Sequence, residues 1–174
     1  LIASFGTYSI AANAVSNNLA QMQIIPGMAM SLAMVTVVGR CVGANDYKQA
    51  KYYIKKLMKI TYITMAVLIT VLLVFTPIIL KFYALSKETI DLAYQCIFIH
   101  TIFAATIWPL AFTFPNALRA SNDAKFTMIV SATSMWIFRF CFSYVIGRYM
   151  GYGLLGVWIA MFIDWIVRSI FFIW

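Results

Sequence analysis

The side chains best able to do chemistry stand where a bilayer would penalise them most. Asn13, Asn17 and Gln21 recur every four residues inside a stretch, 7–43, that is otherwise apolar enough to sit in lipid. At ~100° per residue the three amides share one helical face. An amide facing hydrocarbon has no hydrogen-bond partner, so this face must look at protein or at water. Pro26, followed by Gly27, removes a backbone donor and is expected to kink the helix part-way across. A polar face on a broken membrane helix is what a solute pathway needs. The same stripe also reads as glue between packed helices, since Asn and Gln often hydrogen-bond across membrane interfaces.

Ionisable groups inside a membrane are the next candidates. Arg139, Asp164 and Arg168 interrupt uncharged runs, and His100 is a fourth ionisable group within a span. Counted at the helical rise, Arg139 lies ~12 Å below the outer end of its span, Asp164 ~16 Å and Arg168 ~22 Å. Asp164 and Arg168 are also spaced i, i+4 on one face. The expected product is a buried Arg–Asp–Arg cluster, either a brace between two helices or part of a cation or proton relay. An acid held between two positive charges favours the brace. His100 reads as a relay or pathway residue, or as hydrogen-bonded packing.

Other motifs carry less. GYGLLG at 151–156 fits G-x-G-x-x-G but joins two apolar helices with no preceding strand, so a dinucleotide site is not expected. Gly39–Gly43 and Gly147–Gly151 fit G-x-x-x-G at helix ends, where caps and turns are expected. Cysteines 41, 96 and 141 are scattered, which supports neither a disulfide framework nor a zinc site. With no P-loop, nucleophile elbow or metal-ligand cluster in the sequence, the expectation is a non-enzyme without a metal site.

The elements that position these residues follow from hydropathy. Of 174 residues, 64% are hydrophobic and 10% charged, with a mean hydropathy of +0.90, and long apolar runs at that composition mean membrane spans. Residues 1–39 carry no charge and as one helix would measure ~58 Å, nearly twice the hydrocarbon thickness. Gly6 is the earliest breaker, giving the tail of one helix at 1–5 and a long kinked helix at 8–40. Further spans are expected at 60–80, 92–118 (bent at Pro109 and Pro115), 126–147 and 154–174. The fold class is therefore all-α, a polytopic transmembrane bundle of five spans plus the stub of a preceding one. An apolar opening and an FFIW close make a piece of a longer protein the expectation.

Lys48, Lys51, Lys55 and Lys59 share one face of 46–59, an amphipathic basic lead-in lying at the membrane surface, with lipid headgroups as partner. The net charge of +8 is spread between spans, so it reads as a topology signal and not as a nucleic-acid footprint. The loops at 40–59 and 119–125 hold eight basic residues and the opposite side three. That bias sets those loops, and the C-terminus with them, in the cytoplasm.

Three stretches taken together resemble one family: AANAVSNNLAQMQIIPGMAMSLAMVTVVGRCVGANDYKQAK (11–51), LRASNDAKFTMIVSATSMWIFR (118–139) and GLLGVWIAMFIDWIVRSI (153–170). They look like the C-terminal half of MATE transporters, the multidrug and toxic compound extrusion family, in register over residues 1–174. The resemblance implies twelve helices in two lobes related by a pseudo-twofold along the membrane normal. This chain would form the C-terminal lobe, its amide-faced helix standing eighth, beside a central cavity. On this likeness the substrate pathway would run past Asn13, Asn17, Gln21, Pro26, His100 and Trp108. The implied activity is export of organic, often cationic, compounds from the cell across the plasma membrane, by alternating access. A proton or sodium gradient would supply the energy, with no cofactor. The implied partners are small organic molecules, H+ or Na+, membrane lipids and a missing N-terminal lobe.

One departure matters. A branch of the family carries a carboxylate in helix ten, but residues 92–122 contain no Asp or Glu and Trp108 stands about there. Coupling is therefore expected in the N-terminal lobe. Two other readings are open: a lipid-linked oligosaccharide flippase of the same superfamily, which would need more cationic groups in its cavity, and a non-transporting structural membrane subunit.

Overall fold

Gly6 breaks the chain as its position suggests. It adopts φ +95°, a left-handed conformation open to glycine, and separates a single 3-10 turn (Ile2–Phe5) from the first long helix. A computed structural model describes residues 1–83 and 85–174, and among them there is no strand. Five helices are long and apolar enough to cross a membrane: α1 (Thr7–Gly43), α2 (Tyr47–Phe82), α3 (Lys87–Thr106), α5 (Ala124–Tyr149) and α6 (Gly153–Ile173). Between α3 and α5 the chain makes a π-helical turn (Pro109–Thr113) and a short helix, α4 (Phe114–Ala120).

The prolines act less as breakers than the sequence suggests. α1 runs as one helix through Pro26, and α2 likewise runs through Pro77 to Phe82. In an apolar solvent every backbone group left outside the helix is costly, which favours continuing past a single missing donor. Where two prolines fall six residues apart, at Pro109 and Pro115, the helix does give way, into the π turn. The third span also starts earlier than hydropathy suggests. Ser86 caps α3, its hydroxyl accepting from the Thr89 N–H, so Glu88 and Asp91 belong to the first turns of the helix.

No glycine or proline interrupts 47–76, and the basic lead-in is accordingly the first turns of α2 itself, capped by the Asp46 carboxylate accepting from Gln49 N–H at 2.9 Å. The four lysines point outward, while Ile54, Leu57 and Met58 pack against Met34, Val38, Cys41 and Ala117. Further along, Ile63, Val67, Val74, Ile78 and Phe82 stay exposed along one side of α2. Such a stripe suits lipid.

α1 is the central post. It packs against α2, α3 and α4 and touches α6. α6 in turn lies against α5, and the two cross at contact distance where Gly147 meets Gly156. A Cβ on Gly156 would stand 2.7 Å from the Gly147 Cα. Gly147 is therefore a helix-packing residue and not the cap that its place near a helix end suggests. Gly151 (φ +77°) and Gly153 (φ +55°) make the turn that follows.

Candidate functional site

Side chains from five elements (α1, α3, the π turn, α5 and α6) meet at a cleft of about 490 Å³ beside α1. The amide stripe supplies Asn17 and Gln21, both exposed, with Ser31 further along the same helix. Asn13, one turn earlier, does not line the cleft directly; its Oδ1 accepts from Trp158 Nε1 at 3.2 Å and so fixes the indole that does. Asn17 Nδ2 donates back to the Asn13 carbonyl at 2.9 Å. Pro26 stands outside the lining, and its neighbour Gly27 is the residue that matters. The Trp108 indole lies so close to Gly27 that a Cβ there would come within 2.1 Å of it. Ser31 Oγ (2.8 Å) and Thr113 Oγ1 (3.3 Å) both donate to the Gly27 carbonyl, tying the π turn to α1.

The opposite wall is aromatic. Trp158, Phe162 and Trp165 follow i, i+4, i+7 on α6, a spacing that puts them on one face. His100 sits among them, ring centroids 5.5 Å from Trp165 and 5.7 Å from Trp158. Trp108 stacks on Phe112 at 5.2 Å. His100 is buried and held from behind by Gln23, whose Oε1 lies 2.6 Å from His100 Nδ1 while its Nε2 donates to Thr101 Oγ1 at 2.9 Å. Since the Gln23 amide nitrogen is committed to Thr101, its oxygen faces the imidazole and His100 Nδ1 carries the proton. Gln23 was invisible to the stripe argument: two residues beyond Gln21, it turns ~200° to the other side of the helix.

The expected Arg–Asp–Arg cluster lacks one contact: Arg139 lies within reach of the charges on Asp164 and Arg168 but makes no ion pair with the acid. Among the described residues there is one ion pair, Arg168 Nε to Asp164 Oδ1 at 2.9 Å, and both side chains are buried. The α5 residue that meets Asp164 is Ser134, whose hydroxyl donates to the same oxygen. Depth along the axis admits Ser134, ~20 Å below the outer end, as readily as Arg139, and says nothing about which way either points. The Arg168 guanidinium also lies 5.5 Å from the centre of the Phe112 ring, bracing the back of the aromatic wall. Arg139 is exposed and lines the cleft instead. It also lines a larger cavity of about 600 Å³, whose other walls, apart from Ser143 and Tyr144, are apolar side chains such as Met135, Trp136 and Phe140. Convergent polar groups single out the smaller cleft as the binding candidate.

The cleft therefore combines two amides, a serine hydroxyl, an imidazole edge, one guanidinium and four large aromatic rings. These groups can hold a flat organic molecule by stacking and orient its polar atoms. Lys48, Lys51, Lys55 and Lys59 stand apart from it, exposed on the first turns of α2.

Comparison with known proteins bears on the same stretch. The family model described as MatE matches residues 1–145. A probable multidrug resistance protein, YoeA, of Bacillus subtilis is 25% identical over 156 residues, covering 90% of this chain and 34% of the relative. The uncharacterized transporter YisQ of Bacillus subtilis is 27% identical over 172 residues, covering 97% and 37%. A probable multidrug resistance protein NorM of Thermotoga maritima is 23% identical over 164 residues, covering 94% and 35%. The chain thus spans about a third of the length of these relatives. In fold it is similar to an outward-facing multidrug resistance MATE family transporter of the MOP superfamily, with TM-score 0.81 and 18% identity over 94% of this chain and 36% of that one. A MATE crystallised in complex with MaL6 gives the same TM-score, 0.81, at 19% identity, covering 98% and 38%.

Proposed function

Since this chain belongs to the MatE family, we propose that it forms the C-terminal lobe of a secondary transporter that exports organic compounds, often cationic ones, in exchange for protons or sodium. Its five apolar helices make it a multi-pass membrane protein. The observation that carries the proposal is the cleft: amides, a histidine edge and stacked aromatics gathered at about 490 Å³ beside α1. Such a wall binds flat organic molecules through stacking and few hydrogen bonds, which suits a broad substrate range. Alternating access then requires that cargo and coupling ion bind the two arrangements of the lobes with different affinity. Trp108 occupies the region where a branch of the family holds an acid, so coupling falls to the N-terminal lobe. The basic bias orients the protein in the plasma membrane with 40–59, 119–125 and the C-terminus in the cytoplasm.

The flippase reading stays second. Arg139 in the cleft lining is one cationic group, and a lipid-linked pyrophosphate calls for several. The test is aqueous accessibility. Single cysteines at positions 13, 17 and 21 of the full-length protein, in a background lacking Cys41, Cys96 and Cys141, are expected to label with a charged maleimide in at least one conformational state. Bound cargo should protect positions 17 and 21. Absence of labelling in every state would leave the stripe as packing and end the proposal.

A further inference from the structure

We propose that Arg139 is a recognition residue for an anionic group, so that the cargo this lobe handles carries a carboxylate or comparable anion on a flat apolar body. The inference rests on the transporter reading above and narrows its substrate class.

Arg139 stands within a span, between the apolar neighbours Phe138 and Phe140, where an uncompensated charge is costly. Yet its guanidinium has no hydrogen-bond or ion-pair partner among the described residues. The nearest counter-charge, Asp164, is fully buried and spends Oδ1 on Arg168 and Ser134; its Oδ2 has no hydrogen-bond partner among the described residues, yet Arg139 makes no ion pair with it. Among the described residues Arg139 is the one formally charged side chain lining the 490 Å³ cleft, and it lines the 600 Å³ cavity as well. It also falls inside the π-helical stretch Met135–Cys141, and such bulges occur frequently at functional sites. A guanidinium offers two parallel donors to a carboxylate, and the Trp108–Phe112 stack offers the apolar body a surface in the same cleft. An anion or zwitterion would find here a pair of donors that no side chain among the described residues occupies.

The test uses the full-length protein in nanodiscs and equilibrium dialysis with three probes of one shape: naphthalene-2-carboxylate, naphthalene-2-carboxamide and naphthalen-2-ylmethylammonium. A charged hydrogen bond predicts that wild type prefers the carboxylate over the amide by roughly ten-fold. R139Q is expected to erase that preference while still binding the amide, and R139E to turn it toward the ammonium. An unchanged preference in R139Q would overturn the inference. So would an equal loss of all three probes together with a lowered melting temperature, because the guanidinium would then serve a carboxylate of the protein itself. Uptake into proteoliposomes under imposed proton or sodium gradients separates the two layers. An Arg139-dependent preference without any transport keeps the anion site and removes the transport reading. Transport without a carboxylate preference does the reverse.

Discussion

Replacing Asp164 by Asn should weaken the protein without disabling the molecules that still fold. The carboxylate holds Arg168 at 2.9 Å and accepts from Ser134, with the acid fully buried and Arg168 only 7% exposed. Asn has the same shape and keeps an acceptor for both donors, so packing is preserved and the loss is electrostatic. Removing one partner of a buried pair costs about 3–5 kcal/mol, because the other charge is left uncompensated. The retained hydrogen bonds return part of that, on the order of 1 kcal/mol each, which puts Asp164→Asn near the lower end. Asp164→Ala should sit near the upper end. Arg168→Gln strands the acid in the same way, and the double variant Asp164→Asn/Arg168→Gln should be less damaged than the two single losses added together. The measurement is the temperature at which half of the detergent-solubilised full-length protein leaves the monodisperse peak, set beside transport per folded molecule in proteoliposomes. A brace predicts lower melting with near wild-type transport per molecule. Wild-type melting with abolished transport would refute the reasoning and make Asp164 part of the working cycle.

Three further outcomes follow from the packing. Gly27→Ala would bring a methyl within 2.1 Å of the Trp108 ring where ordinary contact begins near 3.4 Å; the indole must withdraw toward the cleft, which should lower thermal stability by about 1–3 kcal/mol and weaken binding of flat probes in equilibrium dialysis. Gln23→Leu orphans the His100 Nδ1–H, while the Thr101 hydroxyl keeps its bond to the Ile97 carbonyl; a loss of about 1–3 kcal/mol is expected in the same melting assay. Replacing Lys48, Lys51, Lys55 and Lys59 by Gln should reduce the phosphatidylglycerol that co-purifies with the detergent-solubilised full-length protein and leave co-purified phosphatidylcholine unchanged, since each lysine near an anionic surface contributes about 1 kcal/mol.

Much of the architecture could be read from hydropathy, because a bilayer imposes length and continuity on whatever crosses it. The five spans and the break at Gly6 are of that kind. What hydropathy could not supply is azimuth. Arg139 and Asp164 lie at comparable depth, and only the rotation of α5 decides that Ser134 meets the acid while the guanidinium turns to the cleft. Gln23 escaped for a related reason: periodicity picked out the amides that repeat, and a single amide on the far side of the helix leaves no pattern. The aromatic wall was legible in the Trp158, Phe162, Trp165 spacing, but in a chain this rich in aromatics nothing marked it as a wall. The contact of Gly147 with Gly156 joins residues on either side of a tight turn, and pattern reading within one helix cannot see across it.

The uninterrupted run of α2 has a mechanical meaning. At 36 residues it is a stiff rod of about 54 Å, with its lysine-bearing turns at one end and its apolar stripe along the rest. Pivoted at either end through only five degrees, such a rod carries its far tip through about 5 Å. A headgroup drawn toward those lysines would thus be felt toward the opposite leaflet, with no glycine or proline between the lysines and Pro77 to absorb the motion.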